Sequence, residues 1–285
     1  MAEDPGQTTQ VRLAFRIGYI GTSFFGSQYQ PEIRTVEGEI EAACMRAGII
    51  SSRRDSRLTL SGRTDRGVHA RNQVLAFSTT NPDLAIRALN GQLPYDIWAT
   101  SWACAPDSYY PRYDVISRTY RYYYSRTPSD VQVMKEAAAL FTGTHDFRCF
   151  ARVETGKNPI KTIDQIDIIS EKGGCLLEIT AQSFLWHMVR SIAGALLQVS
   201  EGSLTTRELE YYLSGACKNK IKPASPDGLI LWEVDTNLDW QDMAVSELKK
   251  GRIVRKSEEF LLLGKVYSLL LNQATDPVQP YESWF

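Results

Sequence analysis

Cysteine and histidine are scarce in this chain of 285 residues, which contains five cysteines and three histidines. The cysteines form no C-x-x-C pair, no histidine stands at ligand spacing from them, and all eight residues are scattered: Cys44, Cys104, Cys149, Cys175, Cys217, His69, His145 and His187. An odd number of scattered cysteines argues against a disulfide framework, and the missing ligand spacing argues against a zinc site. We therefore expect neither disulfide bonds nor a bound metal.

Long apolar runs, signal sequences and cofactor loops are also missing. The longest apolar run, around Ile192 to Val199, is far too short to span a bilayer, so no membrane association is expected. The first ten residues, MAEDPGQTTQ, are acidic and polar and have no signal-peptide pattern, which predicts a cytoplasmic protein. The chain has no G-x-G-x-x-G loop and no group of acidic residues of the kind that binds Mg²⁺. The sequence thus predicts no cofactor.

Positive charge is concentrated in a few segments, although the formal net charge is only -1. Residues 46–71 contain seven arginines and two aspartates, residues 112–126 contain four arginines and one aspartate, and Lys218, Lys220 and Lys222 form a third cluster. Clusters that share one face would attract a polyanion, because the local field and not the total charge acts on it. For any single cluster, solvated loop arginines are the simpler interpretation.

Strand and helix patterns alternate along the chain without a regular βαβ repeat. Apolar residues at every second position of 11–19 predict a half-buried strand, and helical spacing over 35–48 predicts an amphipathic helix. Further strands are predicted at 58–60, 73–78, 97–103, 118–124, 160–169, 175–183 and 229–234, and further helices at 82–90, 129–141, 184–199 and 203–214. This order favours an α+β fold in which helices flank a mixed, mainly antiparallel sheet.

The segment SGRTDRGVHA (61–70), on a predicted loop between two strands, has one aspartate, Asp65, between Arg63 and Arg66. As a structural residue, Asp65 would cap a turn formed by the neighbouring glycines. As a functional residue, it would stay ionised beside two guanidinium groups and could act as a nucleophile or a base. Glycoside hydrolysis usually needs a second carboxylate and metal-dependent phosphoryl transfer needs several, and neither set stands out. A single-carboxylate reaction on a substrate such as nucleic acid remains.

Two other segments carry unusual polar residues. Arg190 is the only formal charge between Phe184 and Glu201 in a strongly apolar segment, so its guanidinium needs an acidic partner. In the run RTYRYYYSR (118–126), side chains alternate between the two faces of a strand. That alternation puts Arg118, Tyr120, Tyr122 and Tyr124 on one face and Thr119, Arg121 and Tyr123 on the other. The run can therefore present a face of tyrosine and arginine.

Seven segments resemble, in order, those of the TruA-type tRNA pseudouridine synthases: FFGSQYQP with TVEGEIEAA, SGRTDRGVHA, LNGQLPYDI, SRTYRYYY, FTGTHDF, FLWHMVRSIAG and PDGLIL. One such segment is weak evidence, whereas seven in the family's order are strong evidence. The resemblance covers about Leu13 to about Val234. It departs from the family's common pattern at Ser27, where G-W-Q is usual, at Arg66, and at Tyr110-Pro111-Arg112, where H-A-R is usual.

The resemblance assigns roles residue by residue. Asp65 is the catalytic aspartate, Tyr120 the active-site tyrosine, and Arg190 the arginine paired with Asp65. Arg63 is associated with flipping the target nucleotide, and Leu229 lies beneath the target base. Phosphate contacts from the arginine clusters would offset the cost of flipping, and the candidates are Arg66, Arg112, Arg118 and Arg121. His69 and His145 are expected to make supporting hydrogen bonds, and His187 is expected to be structural.

The reaction that the resemblance implies is isomerisation of a uridine in tRNA. The glycosidic bond is cut, the uracil turns while bound, and its carbon 5 is joined to the sugar. Asp65 would attack the uracil ring or the sugar, or would remove a sugar proton to give a glycal. The expected target is the anticodon arm, at about positions 38 to 40 of tRNA. The alternatives are a catalytically inactive RNA-binding or tRNA-folding protein and, less favoured, an RNA nucleosidase.

The resemblance also implies two pseudo-symmetric halves with a central RNA-binding cleft, in a homodimer. The N-terminal half, 11–108, carries the catalytic aspartate loop, and the second half, 109–235, completes the active site. Residues 236–285 form a C-terminal extension of uncertain structure.

Overall fold

The computed structural model describes residues 10–171, 174–217 and 219–271. The predictions that concern residues 1–9, Lys218 and residues 272–285 lie outside the described residues. The strands in the described chain are β1 (Val11–Tyr19), β2 (Thr59–Leu60), β3 (His69–Thr79), β4 (Ile97–Cys104), β5 (Ser117–Tyr123), β6 (Gly143–Asp146), β7 (Ile160–Ile163), β8 (Gln165–Glu171), β9 (Gly174–Ala181), β10 (Leu229–Asp235) and β11 (Gln241–Asp242). The α-helices are α1 (Val36–Arg46), α2 (Pro82–Gln92), α3 (Pro111–Asp114), α4 (Val131–Ala139), α5 (Met188–Ser200), α6 (Thr206–Leu213) and α7 (Glu247–Leu271).

Nine of the described strands form one sheet in the order β11-β4-β1-β3-β10-β5-β9-β8, with β2 paired to β3. Strands β6 and β7 form a separate antiparallel pair. Within the large sheet, the described pairs are antiparallel except β3 with β10, which runs parallel through Ile230 beside His69 and Leu231 beside Ala70. This arrangement confirms the predicted α+β fold with a mixed, mainly antiparallel sheet.

The parallel pair positions the functional segments. The aspartate segment 61–68 leads directly into β3, so the pairing of β3 with β10 brings that segment to the start of β10. On the other side of β10, Leu229 pairs with Tyr122 and Leu231 pairs with Tyr120 of β5. Three segments that lie far apart in sequence therefore meet at one end of the central strands.

Helix α5 is buried on almost all sides, which explains why its sequence is apolar all round. It packs closely against the segment that leads into β10, since a Cβ added at Gly194 would lie 2.7 Å from the backbone oxygen of Lys222. The Tyr124 hydroxyl, just after β5, donates to the carbonyl of Ala193 at 3.2 Å. Together these contacts fix the distance of α5 from the sheet, and with it the position of Arg190.

Two element predictions are wrong. Residues 160–169, predicted as one strand, form two strands in different sheets. Strand β7 pairs with β6, β8 pairs with β9, and the change of partner occurs at Asp164. The helix predicted to start at Phe184 starts at Met188 instead. His187 has φ 67°, in the left-handed region, which a right-handed helix cannot include. The apolar residues before it line a cleft and so mimic a helical pattern.

The prediction of no disulfide bond is also wrong. Cys149 and Cys217, 68 positions apart, form one. The flanking chain is joined as well, because the backbone N–H of Ile221 donates to the carbonyl of Cys149 and the Lys220 Nζ to that of Ala151, both at 2.9 Å. Sequence spacing gave no sign of this bond, since only the tertiary fold brings the segment after α6 beside residue 149.

Replacing Cys217 with Ser is expected to lower the free energy of unfolding by about 2–4 kcal/mol in non-reducing buffer, because the cross-link restricts the unfolded chain. Guanidinium denaturation measures this. Cys104→Ser, which changes an exposed free cysteine, is the matched control and should have the stability of the wild type. Equal stability of Cys217→Ser and wild type in non-reducing buffer would contradict the prediction, as would a difference that persists after full reduction.

The C-terminal segment starts in contact with the sheet and ends away from it. Strand β11 pairs with β4, and the buried Lys249 of α7 donates to the backbone carbonyls of Asn90, Leu93 and Ile97. From residue 257 to the end of α7 nearly every side chain is exposed. Nine of the last twelve residues of the helix are apolar: Phe260, Leu261, Leu262, Leu263, Val266, Tyr267, Leu269, Leu270 and Leu271. None of the described helices combines the length and apolarity needed to cross a membrane.

Candidate active site

A cleft of about 1000 Å³ opens where the segments around β3, β5 and β10 meet. Eight of the nine site residues predicted from the sequence line it: Arg63, Asp65, Arg66, Arg112, Arg118, Tyr120, Arg190 and Leu229. Arg121 is the ninth and lies on the other face of β5, with its Nε 2.6 Å from an oxygen of Glu178 and its guanidinium 3.8 Å above the ring of Trp232. The structure thus brings together the predicted site except for Arg121.

The backbone around Asp65 is held by hydrogen bonds on both sides. The Ser27 hydroxyl accepts the N–H of Thr64 at 2.8 Å, and the N–H of Ser27 donates back to the carbonyl of Thr64 at 3.1 Å. The Tyr19 and Thr64 hydroxyls are 2.8 Å apart. The N–H of Val68 donates to the backbone carbonyl of Asp65, and this bond closes the turn. The carboxylate is therefore left for other partners, and Ser27, a departure from the family pattern, is the residue that anchors the loop.

Arg190 is the partner of Asp65, as the resemblance implied; the apolar segment by itself predicted only that Arg190 needs an acidic partner. Its Nη1 lies 2.8 Å from Oδ2 of Asp65, although 125 positions separate the two residues. Its Nε donates to the carbonyl of Ala224 at 2.8 Å, which fixes the direction of the guanidinium. The two side chains are 14% and 19% exposed, so the pair is largely shielded from water but can be reached from the cleft. An ion pair placed this way holds a carboxylate in one orientation with its other oxygen available.

His187 lies outside the helix where it was predicted and faces the cleft. Its Nε2 is 3.6 Å from Oδ2 of Asp65. Burial lowers the pKa of His187, and the nearby Asp65 carboxylate only partly offsets this, so the ring is mainly neutral at neutral pH. Arg190 is thus the cation that balances Asp65. A non-glycine residue in the left-handed region beside such a pair is typical of functional sites.

Tyr120 and Leu229 form an apolar floor. Both side chains are buried, and the Tyr120 ring packs edge to face on Phe184 with centroids 5.2 Å apart. Burial raises the pKa of Tyr120 to about 12, so the phenol keeps its proton at neutral pH. An apolar surface in the same cleft as the Asp65 carboxylate suits an aromatic ring with polar edges, such as a nucleobase.

The lining of the cleft is strongly positive. It includes six arginines and two lysines but only two acidic residues, Asp65 and Glu154. Arg63 and Glu154 form an exposed ion pair at 3.3 Å, and Arg66 lies over the ring of Phe25 at 4.2 Å. Exposed pairs of this kind contribute little to stability, so these guanidinium groups are free to exchange partners. The cleft can therefore accept a polyanion.

Arg118 has a different position from that of a surface cation. Its side chain is buried and donates to the backbone carbonyls of Ser61, Arg112 and Gln182. These carbonyls belong to the aspartate segment, to α3 and to the segment after β9. Arg118 therefore ties together three parts of the cleft wall.

Sequence reasoning missed five residues that line the cleft: Tyr113, Arg152, Lys157, Lys161 and Trp186. The guanidinium of Arg152 lies 4.4 Å from the ring of Trp186, and the N–H of Arg152 donates to the carbonyl of Trp186 at 2.9 Å. Three of the five are basic residues within 152–161, the segment that leads into β7 and carries no other motif. That local density of positive charge was the one available signal.

Comparison with known proteins gives the family. A family model described as tRNA pseudouridine synthase matches residues 137–237. The protein named tRNA pseudouridine synthase A in Methanosphaerula palustris is 42% identical over 266 residues, 93% of this chain and 95% of that protein. The chain belongs to the tRNA pseudouridine synthase A family. Relatives of the same name from Methanoculleus marisnigri and Thermococcus onnurineus are 40% and 44% identical, over 95% and 79% of this chain and 99% and 85% of theirs.

Membership of the tRNA pseudouridine synthase A family confirms the resemblance drawn from the seven segments. Among solved structures, a chain of a Cbf5-Nop10-Gar1 complex covers 67% of this chain and 54% of its own, at a TM-score of 0.29 and 13% identity. A likeness at that score supports no conclusion about this chain.

Proposed function

We propose that this chain isomerises uridine to pseudouridine in the anticodon arm of tRNA, with Asp65 as the catalytic carboxylate. Membership of the tRNA pseudouridine synthase A family supports an isomerase that acts on tRNA. The observation that supports the site is the Asp65–Arg190 pair at the apolar floor of a basic cleft.

The proposed chemistry needs one ionised carboxylate within reach of the nucleoside. Attack on the uracil ring, attack on the sugar and removal of a sugar proton all share this requirement. Arg190 pairs with Asp65 at 2.8 Å and so fixes the direction of its carboxylate. Tyr120, which keeps its proton, is suited to packing on the uracil and donating a hydrogen bond rather than to acting as a phenolate base.

The two halves contribute different parts of the proposed site. We assign the aspartate segment to the half formed by 11–108, and Tyr120, Arg190 and Leu229 to the half formed by 109–235. The parallel pairing of β3 with β10 joins the two halves beside the cleft, which supports a binding cleft at their junction. Arg63, Arg66 and Arg112, which line that cleft, are the proposed contacts to the flipped nucleotide and its phosphates.

The test is release of tritium from a tRNA transcript labelled at carbon 5 of uridine. Isomerisation replaces the bond from carbon 5 to hydrogen with a bond to the sugar, so wild type should release tritium and leave pseudouridine in the anticodon arm. A transcript with cytidine at the target positions is the control and should release none. No release from any tRNA would favour the binding protein, and free uracil would favour a nucleosidase. Release from another arm would contradict only the proposed position.

We also propose a cytoplasmic homodimer, since tRNA is the substrate and α7 ends in an exposed apolar surface. Phe260, Leu263, Tyr267 and Leu270 follow the 3-4-3 spacing of a helix that packs against a second helix. Two copies of α7 packed along this stretch would bury on the order of 1000 Å², the lower limit for a stable interface. An apolar face of this size left in water favours aggregation, so a second copy is the proposed partner.

Leu263→Glu with Tyr267→Glu is therefore expected to convert the dimer to a monomer. Sedimentation equilibrium at a concentration where wild type is dimeric measures the change. Leu248→Glu, an exposed leucine in the first turn of α7, is the control and should stay dimeric. A monomeric wild type, or a double variant with the mass of a dimer, would contradict the proposal.

A further inference from the structure

The cleft rim carries an exposed tyrosine that no catalytic role requires. Tyr113 lies on α3 and lines the cleft, yet 73% of its surface is exposed. Its ring is stacked on that of Tyr110, with centroids 5.3 Å apart and planes 20° from parallel. One outer face of this stack is therefore open to a third flat ring.

The support under Tyr113 is rigid for so short a helix. The N–H of Tyr110 donates to the Asp114 carboxylate at 2.6 Å, and the N–H of Asp114 donates to the carbonyl of Tyr110 at 3.1 Å. The buried Arg118 donates to the carbonyl of Arg112 at 3.0 Å. Because α3 is fixed to the cleft wall in this way, little entropy is lost when a ligand stacks on Tyr113.

Trp186 provides a second aromatic surface in the same cleft. Its side chain is 42% exposed, and the guanidinium of Arg152 lies 4.4 Å from its ring. The backbone hydrogen bond between Arg152 and Trp186 fixes that segment as well. Two exposed aromatic residues are thus held in a cleft lined by arginine and lysine, and this is the combination that binds unpaired nucleotides: rings stack on bases while cations contact phosphates.

We propose that Tyr113 and Trp186 are stacking surfaces for the bases next to the target uridine. The proposal rests on the proposed function, since flipping a uridine separates its neighbours from their stack. Rings on the protein then replace the lost stacking, and Arg112 and Arg152 lie beside them to meet the phosphates. Tyr113 and Trp186 are binding residues in this assignment and do not touch the reacting atoms.

Tyr113→Ala is expected to raise KM for tRNA about tenfold, since a base stacked on an aromatic side chain is worth about 1–3 kcal/mol and 1.4 kcal/mol is tenfold. The kcat should stay within about twofold of wild type, because Asp65 and Arg190 are untouched. Tyr113→Phe keeps the ring and should restore the KM. Tyr211→Ala is the matched control, because Tyr211 is 55% exposed but lies on α6 outside the cleft lining.

A direct measurement uses tRNA with 2-aminopurine next to the target uridine. Stacking quenches its fluorescence, so the probe should stay quenched when wild type binds and flips the uridine. At saturating enzyme, Tyr113→Ala should make the probe bright at one neighbouring position and Trp186→Ala at the other. An unchanged KM and unchanged quenching in Tyr113→Ala would overturn the proposal. A fall in kcat with an unchanged KM would overturn it too. Failure of the proposed function can be told apart from failure of the stacking proposal. In the first case wild type would release no tritium, while quenching could still be measured.

Discussion

Asp65→Asn is expected to lower kcat for pseudouridine formation by about 10⁴-fold or more, a loss in the range found when a reacting group is removed from an enzyme. Asparagine has the size of aspartate and keeps one oxygen for Arg190, but it carries no charge and is neither a nucleophile nor a base. Since the other cleft residues are unchanged, tRNA binding should be retained. Tritium release and a filter-binding assay with the same tRNA measure the two properties.

The control for this change is Glu154→Gln, which removes the other carboxylate of the cleft lining. Glu154 is exposed and paired with Arg63, so its loss should change kcat by less than about fivefold. If Asp65→Asn kept activity within tenfold of wild type, Asp65 would not be the reacting carboxylate. Equal losses in both variants would show that total negative charge in the cleft matters instead of one positioned group.

Arg190→Ala is expected to lower the free energy of unfolding by about 3 kcal/mol and to abolish detectable turnover. Removing one partner of a buried ion pair typically costs about 3–5 kcal/mol, and the lower figure applies because Asp65 keeps some contact with water. The change also leaves the carbonyl of Ala224 without the Nε donor. Guanidinium denaturation and tritium release measure the two losses.

Arg190→Lys separates charge from geometry. One ammonium group restores a positive charge near Asp65 but cannot also hold the carbonyl of Ala224 as the fork of the guanidinium does. Much of the stability should return, whereas activity should stay at least about tenfold below that of wild type. The double variant Asp65→Asn/Arg190→Ala should be more stable than Arg190→Ala alone, since no unpaired carboxylate remains. An Arg190→Ala variant as stable and active as wild type would exclude the pair from both roles.

The sequence predicted well those strands and helices whose apolar residues keep one spacing from end to end. Strand β1 has the predicted bounds because its alternation is regular, and α1 starts just after Thr35, whose hydroxyl accepts the N–H of Gly38. The predicted start of α5 was wrong because three apolar residues that line the cleft, Phe184, Leu185 and Trp186, precede the helix and resemble a helical pattern. The apolar segment predicted that Arg190 needs an acidic partner. The family motifs then identified that partner as Asp65.

Contacts whose partners have no sequence signature could not be predicted. Every residue has a backbone carbonyl, so the sequence could not indicate that Arg118 is buried against three of them. Arg118 was therefore predicted to contact phosphate. The disulfide between Cys149 and Cys217 depends on a tertiary approach over 68 positions. The position of His187 beside Asp65 depends on a left-handed backbone that histidine adopts only occasionally.

The insertion of β10 between β3 and β5 has a consequence for synthesis on the ribosome. Strands β3 and β5 leave the exit tunnel long before Leu229, and until β10 arrives each presents an open edge to solvent. The nascent chain must therefore keep these edges from pairing wrongly while residues 124–228, which separate β5 from β10, are being made. The centre of the sheet, and with it the cleft that Leu229 lines, is complete only when β10 enters the gap.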